Sequence, residues 1–286
     1  MKFRIVTDSS SNVLSIPHED YGCVPMKIVA GKEYVDAPGL NVAQMVEDLK
    51  GYKGKTGSSC PNVGEWLEAF GDAQYVFGIT ITKHLSGSYN AARQAAETYM
   101  EEHPDRRVYL FDSLAAGPEL MMIADKIRQC EAAGDDFDTT VAKVLDYHNH
   151  THTIFCLESM HNLAHNGRVP ITVAKLAGML GIRIIGEAQG GQIVAIHKPR
   201  GEKKAMLAMA QTIKERGFQD GGLIRISHCF ADDRIQEFLS KIREDFPHAR
   251  FIVEPTTALC SYYAEHGGYI VGFEGGFNVN NDNSKF

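Results

Sequence analysis

Residues 78–102 read GITITKHLSGSYNAARQAAETYMEE. Together with the three preceding residues, this stretch begins as a short apolar run, Tyr75–Ile81, which predicts a buried strand. Small and apolar side chains then recur at helical spacing and predict a helix that begins near Ser88; they are Ala92, Ala95, Ala96 and Tyr99. A strand, a short loop and a helix in this order form the repeating unit of a mainly parallel sheet.

Strands and helices alternate over the rest of the chain as well. Further apolar or β-branched segments, each of which predicts a buried strand, are Phe3–Val6, Val108–Phe111, Ile154–Leu157, Ile193–Ile196, Leu223–Ile226 and Phe251–Val253. Arg183–Ile185 and Gln192–His197 lie on either side of a glycine-rich turn and predict an antiparallel hairpin. We therefore expect a two-domain α/β fold. Residues 1–153 are predicted to form an N-terminal domain with a mainly parallel sheet and flanking helices, and residues 154–286 a C-terminal domain with a mixed α/β sheet.

The composition is that of an ordinary globular protein. The 286 residues are 44% hydrophobic and 23% charged with a net charge of −7, which excludes a disordered chain and disfavours a general nucleic-acid-binding role. No apolar run approaches the roughly 18 residues of a transmembrane helix, and Phe3–Val6 is too short for a signal peptide. The six cysteines are scattered without a CxxC pair, as free thiols in a reducing compartment are. We therefore expect a cytoplasmic protein.

The loop after Tyr75–Ile81 is the strongest candidate for a ligand site. In an open parallel sheet, ligands bind beyond the carboxyl ends of the strands, where helix N-termini attract anions. Ser86 and Ser88 place two hydroxyl groups there, on either side of Gly87, which permits close approach of a ligand to the backbone. The alternative interpretation is purely structural, because one of the two serines would suffice to cap the helix.

Three further loops carry hydroxyl groups or an aspartate close to predicted strands or helices. Their sequences are TDSSSN at residues 7–12, KTGSSC at residues 55–60 and DSLAAG at residues 112–117. Taken singly, each is typical of a polar loop with a helix cap. The recurrence of such loops in one half of the chain predicts that their polar groups gather at one edge of the sheet.

Common catalytic and metal-binding motifs are absent from the chain. It contains no GxxxxGK[ST], no GxGxxG after the first strand and no GxSxG, so nucleotide sites and the usual serine-hydrolase elbow lack support. An enzyme that acts on a small anionic ester or phosphate at the Ser86 loop stays open as an alternative, although no general base is identified. We expect no metal ion. His148, His150 and His152 span a predicted helix end and the start of the next strand, and His161 and His165 have i, i+4 spacing without the glutamate of an HExxH motif.

Two arginines occur next to predicted helix ends. Arg168 lies in NGRV after one helix, and Arg200 lies in PRGEKKA before another. Surface cations are usually only solvated, but positive charge at a helix start opposes the helix dipole. We therefore expect Arg168 and Arg200 to face a partner or a phosphate group.

Taken in order, these loops resemble the DegV family of bacterial fatty-acid-binding proteins over nearly the whole chain. TDSSSN resembles the opening TDS motif of the family, KTGSSCP stands where the family has TSQPS, and KHLSGSYNAA resembles its LSGTY segment. FDSLAAG, NGRV and PRGEKKA are similar to the DS, GGR and RG-KKA motifs that follow. Six matches in one order make the resemblance specific.

The resemblance implies both a fold and a role. Members enclose a long acyl chain between two α/β domains, and the resemblance places its carboxylate near Thr56, Ser86 and Ser88, with His266 standing in for a late histidine of the family. Some members are the lipid-carrying subunit of a fatty acid kinase, whose separate ATP-dependent subunit phosphorylates the bound acid to an acyl phosphate. The chain would then be non-catalytic, with a fatty acid as ligand, no cofactor, and Arg168 and Arg200 on the side of the kinase.

Elementary energetics agree with a fatty-acid ligand. Burial of roughly 14 methylenes at about 0.8 kcal/mol each supplies on the order of 11 kcal/mol before the costs of association. The tail therefore dominates the affinity, and the head group mainly fixes the position of the chain. We expect hydroxyl groups rather than cations to hold the carboxylate.

Overall fold

The structure is a computed structural model that describes residues 2–17, 20–177, 179 and 181–281. Its strands are β1 (Arg4–Asp8), β2 (Tyr21–Val24), β3 (Lys27–Val29), β4 (Glu33–Val35), β5 (Gly57–Ser59), β6 (Tyr75–Thr80), β7 (Arg107–Asp112), β8 (Thr151–Leu157), β9 (Ile184–Gln189), β10 (Gln192–His197), β11 (Leu223–His228), β12 (Arg250–Pro255) and β13 (Tyr269–Glu274). Its α-helices are α1 (Val42–Gly51), α2 (Val63–Phe70), α3 (Ser88–Glu102), α4 (Pro118–Ala132), α5 (Phe137–His148), α6 (His161–His165), α7 (Ile171–Ala177), α8 (Glu202–Glu215), α9 (Asp232–Asp245) and α10 (Ala258–Ala264). None of the helices in this part of the chain combines the length and the apolar content needed to cross a membrane.

The first half of the chain builds a parallel sheet with helices on both faces. Its strand order is β2-β1-β6-β7, and every neighbouring pair is parallel. Helices α2 and α3 cover one face, where Trp66 and Phe70 are fully buried. Helices α4 and α5 cover the other face, where Phe77 is stacked on Phe137. The predicted strand, loop and helix around residues 78–102 and the predicted parallel sheet are confirmed.

The second half builds a mixed sheet of six strands in the order β10-β9-β8-β13-β11-β12. Only β11 and β12 are parallel, and the predicted hairpin is present as the antiparallel pair β9 and β10. Helices α8 and α9 pack on one face of this sheet, with Phe238 and Ile224 in a large apolar core. The predicted mixed α/β architecture is therefore confirmed. The predicted domain boundary after residue 153 falls within β8, and the division of the chain into two domains stays a prediction.

Four parts of the fold differ from the expectation. Strand β2, at the edge of the parallel sheet, was not predicted. Strands β3, β4 and β5 form a third, small antiparallel sheet that was not predicted, because runs of three residues are too short for a recognisable period. Strand β13, at the centre of the second sheet, was also missed. The prediction that Phe251–Val253 is a buried strand is wrong, because β12 lies at the sheet edge and Ile252 and Val253 are 37% and 38% exposed.

Two buried aspartates fix the backbone near the starts of α3 and α10. Asp8, at the end of β1, accepts hydrogen bonds from the Ile81 N–H (2.9 Å) and the Ser88 hydroxyl (2.7 Å). Asp36, after β4, accepts hydrogen bonds from the backbone N–H groups of Ala258 and Leu259 at the start of α10. Burial raises the pKa of both carboxyls. Asp8 therefore fixes the loop before α3 to the end of β1, and Asp36 joins the small third sheet to the start of α10.

Candidate functional site

An apolar cavity of about 320 Å³ lies between the carboxyl-end loops of the parallel sheet, the free face of the mixed sheet and helix α10. Its apolar walls come from distant parts of the chain and include Met26, Ile81, Leu85, Leu114, Phe155, Leu157, Leu163, Ile193, Leu259 and Ile270. This volume falls in the range of pockets that take small organic ligands. The cavity is therefore the candidate ligand site.

Strand β8 shows how the sequence positions the cavity wall. Thr153, Phe155 and Leu157 alternate along the strand and line the cavity. Ile154 and Cys156, between them, point to the opposite face and belong to the core under α8 and α9. Because side chains alternate across a strand, one short segment serves both the core and the cavity. This double burial explains the nearly continuous apolar run that predicted the strand.

Three polar lining residues form one connected group. Ser58 and the Tyr263 hydroxyl are hydrogen-bonded at 2.7 Å, and the Arg168 guanidinium lies 5.8 Å from the centre of the Tyr263 ring. The Arg168 Nε also donates to the Leu85 carbonyl at 3.3 Å, next to Ser86. Ser58 and Arg168 therefore meet at Tyr263, which no motif in the sequence had indicated, and Ser86 adjoins the Leu85 carbonyl that Arg168 contacts.

Two other hydroxyl groups of the cavity wall have hydrogen-bond partners in the protein. The Thr82 hydroxyl accepts from the His84 N–H at 3.3 Å, and the Thr153 hydroxyl donates to Glu119 at 2.9 Å. Glu119 is fully buried, and burial raises the pKa of its carboxyl to about 7. We take the part of the wall that holds Ser58, Tyr263 and Arg168, with Ser86 next to Leu85, as the polar end of the cavity.

The two predicted serines of the α3 loop have different surroundings. Ser86 is half-buried, lines the cavity and accepts a hydrogen bond from the Ser88 N–H at 3.2 Å. Ser88 is fully buried, and its hydroxyl donates to Asp8 instead. Gly87 is the N-cap residue and supplies no side-chain cap. The structure thus places Ser86 at the cavity and Ser88 behind it.

Thr56 and His266 lie together, but in a second cavity. The Thr56 hydroxyl and the Tyr262 hydroxyl are hydrogen-bonded at 2.7 Å, and both residues line this space of about 510 Å³. His266 also lines it and is exposed, with its ring stacked on Phe230. The structure does not bring Thr56 and His266 to the cavity that Ser86 lines, because Tyr262 and Tyr263 project from α10 to different cavities.

The two predicted arginines are also separated. Arg168 lines the apolar cavity and, with Lys83, His84 and Ser86, an adjoining outer groove of about 630 Å³. Arg200 is exposed, forms a β-bridge with Ile182 and is not among the residues that line either space. Of the two, only Arg168 is therefore brought to the candidate site.

The histidines that suggested a metal have other contacts. His148 is buried, and its Nε2 is hydrogen-bonded to the Ser113 carbonyl at 3.0 Å. Burial lowers the pKa of its ring to about 4. His161 and His165 stack on each other with ring centres 5.8 Å apart. Within residues 2–17, 20–177, 179 and 181–281, no three His, Cys, Asp or Glu side chains are placed to hold a metal ion.

Comparison with known proteins gives consistent matches over the chain. A family model described as "Uncharacterised protein, DegV family" matches residues 2–274. A DegV domain-containing protein of Streptococcus gordonii is 36% identical over 280 residues, which are 96% of this chain and 99% of that protein.

Two solved structures resemble the fold over almost their whole length. The Streptococcus pneumoniae Fatty Acid Kinase (Fak) B3 protein loaded with linoleic acid is 34% identical, with a TM-score of 0.93, over 96% of this chain and 99% of that one. A DegV family protein from Eubacterium eligens loaded with heptadecanoic acid is also 34% identical, with a TM-score of 0.92 and the same coverage. Both of these proteins were crystallised with a fatty acid as the bound ligand.

Proposed function

This chain belongs to the DegV family, and we propose that it binds one long-chain fatty acid in the apolar cavity between its two larger sheets. The observation that carries the proposal is the composition of the cavity wall. Its lining is mainly apolar, and one polar group on it is formed by Ser58, Tyr263 and Arg168. A hydrocarbon chain with one anionic end has the complementary distribution of polarity. The pneumococcal and Eubacterium eligens proteins, which contain bound fatty acids, support the same ligand class.

The acyl chain supplies most of the binding free energy in this proposal. Each buried methylene contributes about 0.8 kcal/mol, so a long-chain acid gains on the order of 11 kcal/mol before association costs. Walls such as Phe155 and Ile270 offer no hydrogen-bonding side-chain groups, and therefore favour hydrocarbon over a polar ligand of equal size. The head group then fixes which end of the acid faces outward.

The carboxylate is proposed to bind Ser86, Ser58 and Arg168. Hydroxyl groups donate charge-assisted hydrogen bonds to a carboxylate, and a guanidinium adds a fixed positive charge. This proposal departs from the sequence prediction. Ser88 and His266 are no longer included, because Ser88 bonds Asp8 and His266 lines the second cavity. Ser58 replaces Thr56 because Ser58 lines the cavity, and one cation is included because the Arg168 side chain also lines it.

A separate kinase subunit is the proposed partner. The outer groove shares Ser86 and Arg168 with the cavity, so a carboxylate bound there faces a surface that also carries Lys83. In the proposed reaction a carboxylate oxygen attacks the γ-phosphorus of ATP, the bond to the leaving ADP breaks, and an acyl phosphate forms. Cations beside the carboxylate reduce its repulsion from the phosphates. Because ATP is the phosphoryl donor, this role places the protein in the cytoplasm.

We propose that the chain itself performs no catalysis. A serine nucleophile needs a base within hydrogen-bond reach, and in the described residues the Ser86 hydroxyl has neither a histidine nor a carboxylate as a hydrogen-bond partner. The predicted alternative, an esterase or phosphate transferase at the Ser86 loop, therefore gains no support from the geometry.

The ligand is tested by extracting purified, denatured protein from a bacterial host and analysing the extract by mass spectrometry. The expected result is about one long-chain fatty acid per chain. Ala188→Phe, which fills the cavity, should abolish this lipid, whereas Ala132→Phe on the exposed end of α4 should keep it. A lipid-free wild-type protein that also fails to bind added fatty acid would contradict the proposal.

The kinase role is tested by adding an ATP-dependent fatty acid kinase subunit to the loaded protein and trapping acyl phosphate as the hydroxamate. We expect ATP-dependent product with the wild-type chain. Arg200→Ala should leave lipid binding unchanged and slow this reaction, since Arg200 is exposed and outside the cavity. If Arg200→Ala reacts as fast as the wild-type chain, Arg200 does not contact the kinase.

A further inference from the structure

Gly186 and Phe155 form a cross-strand pair in which the ring occupies the place of a missing side chain. The two residues are directly opposite each other in the antiparallel pair of β9 and β8. A Cβ atom added to Gly186 would lie 2.6 and 2.7 Å from Cε2 and Cε1 of Phe155, and closer still to Cζ. Gly186 does not have a positive φ, so the glycine is required by space and not by backbone conformation.

The Phe155 ring is at the same time a wall of the apolar cavity. Phe155 is 8% exposed and lines the cavity with Ala188, the next residue on the same face of β9. Gly186 and Ala188 therefore form a shallow depression in the sheet surface. The ring of Phe155 lies in this depression, held low against the sheet.

We infer that the Gly186–Phe155 pair determines the length of acyl chain that the cavity accepts. This inference rests on the proposed fatty-acid-binding function. An aromatic ring that covers a glycine on a neighbouring strand is a common way of stabilising a sheet, so the pair alone would be compatible with a purely structural role. What distinguishes it is position, because the exposed side of this ring faces the ligand space and every displacement of the ring changes that space.

The direction of the change follows from contact distances. Non-bonded carbon atoms pack at about 3.5–4.0 Å, and Cζ is the ring atom closest to the added Cβ, so a Cβ on Gly186 would push the Phe155 ring away by about 1.5–2 Å. The strand backbone blocks movement into the sheet, and the cavity is the open side. Gly186→Ala therefore reduces the cavity, whereas Phe155→Leu, which removes the ring, enlarges it.

The test compares the dissociation constants of myristic and stearic acid for each variant. Gly186→Ala should raise the dissociation constant of stearic acid by about tenfold relative to that of myristic acid. This factor is close to the contribution of two methylenes to binding. Gly51→Ala is the matched control, because a Cβ there meets no atom within 4 Å, and it should leave the ratio unchanged. Phe155→Leu should shift the ratio towards stearic acid, and the double variant Gly186→Ala/Phe155→Leu should restore stearic acid binding.

The outcomes separate the inference from the function on which it rests. If the wild-type protein binds neither acid, the proposed function is wrong and the inference falls with it. If the wild-type protein binds both acids but the ratio stays within twofold in both Gly186→Ala and Phe155→Leu, only the inference is overturned. Should Gly186→Ala fail to fold, the shift expected for Phe155→Leu decides alone.

Discussion

Replacement of Ser86 by alanine is the perturbation that most directly separates the head group from the tail. Ser86 is half-buried at the cavity wall, and its oxygen already accepts the Ser88 N–H at 3.2 Å. Its hydroxyl proton is therefore free to be donated to a carboxylate. Ser86→Ala removes this donor and leaves the apolar walls unchanged.

The expected loss of affinity can be calculated from one charge-assisted hydrogen bond. Such a bond contributes about 1.5–3 kcal/mol, and every 1.4 kcal/mol corresponds to a factor of about ten in the dissociation constant. Ser86→Ala should therefore raise the dissociation constant of palmitic acid by roughly 10–150-fold. The loss of the hydrogen bond to the Ser88 N–H costs about 1 kcal/mol of helix stability, which a thermal melt detects separately.

The assay is displacement of a fluorescent fatty acid from delipidated protein, performed with palmitic acid and with hexadecanol. Hexadecanol has the same chain and no carboxylate, so its dissociation constant should change by less than about threefold. Thr56→Val is the control, because it too removes a hydroxyl group, but one that bonds Tyr262 and lines the second cavity. Equal losses for the acid and the alcohol, or a larger loss for Thr56→Val than for Ser86→Ala, would refute the assignment of the head group.

Three further outcomes follow from the buried groups. Burial raises the Glu119 pKa to about 7, so the folded chain keeps a proton that the unfolded chain releases near pH 4.5. The free energy of unfolding of Glu119→Gln, measured in urea melts, should therefore exceed that of the wild type by a margin that grows between pH 4.5 and 7, to about 3 kcal/mol. A margin that does not change with pH would contradict this. Asp36→Asn should lower the free energy of unfolding by about 1–3 kcal/mol in the same melts, because Asp36 accepts two N–H groups at the start of α10. The control is Asp232→Asn at the exposed start of α9, which should cost less than about 1 kcal/mol. Equal effects of the two substitutions would refute the capping role of Asp36. Cys60 is exposed at the cavity wall, so maleimide should label it more slowly in fatty-acid-loaded than in delipidated protein, and a rate independent of loading would place the lipid elsewhere.

The sequence predicted the parts of the fold whose signals are local and long. The Tyr75–Ile81 run and the periodic apolar residues after Ser88 gave the β6 strand and the α3 helix within about one residue of their observed bounds. Strands β3 and β5 were missed because each has three residues and is stabilised by pairing with distant segments. The prediction of a buried strand at Phe251–Val253 was wrong because a β-branched residue such as Val253 on an edge strand resembles a buried one in sequence.

The candidate site was predictable only in part, for a related reason. Ser86 was recognised from its place between a strand and a helix, and the structure brings it to the cavity. The same pattern gave Ser88, whose hydroxyl instead bonds Asp8, 80 residues earlier in the chain. Thr56 and Ser58 are two residues apart, and their cavities differ because each bonds a different tyrosine of α10. Such pairings depend on contacts between remote segments, which no local pattern records.

The proposed function depends on where a bound fatty acid lies in the protein. A crystal structure of the protein loaded with a fatty acid that carries bromine at its terminal carbon would locate both ends, because the anomalous signal marks the tail. The account predicts a bromine peak enclosed by the apolar wall that includes Phe155, with the carboxylate within hydrogen-bond distance of the Ser86 Oγ. A carboxylate in the second cavity between Thr56 and His266, or a bromine peak on the protein surface, would contradict it.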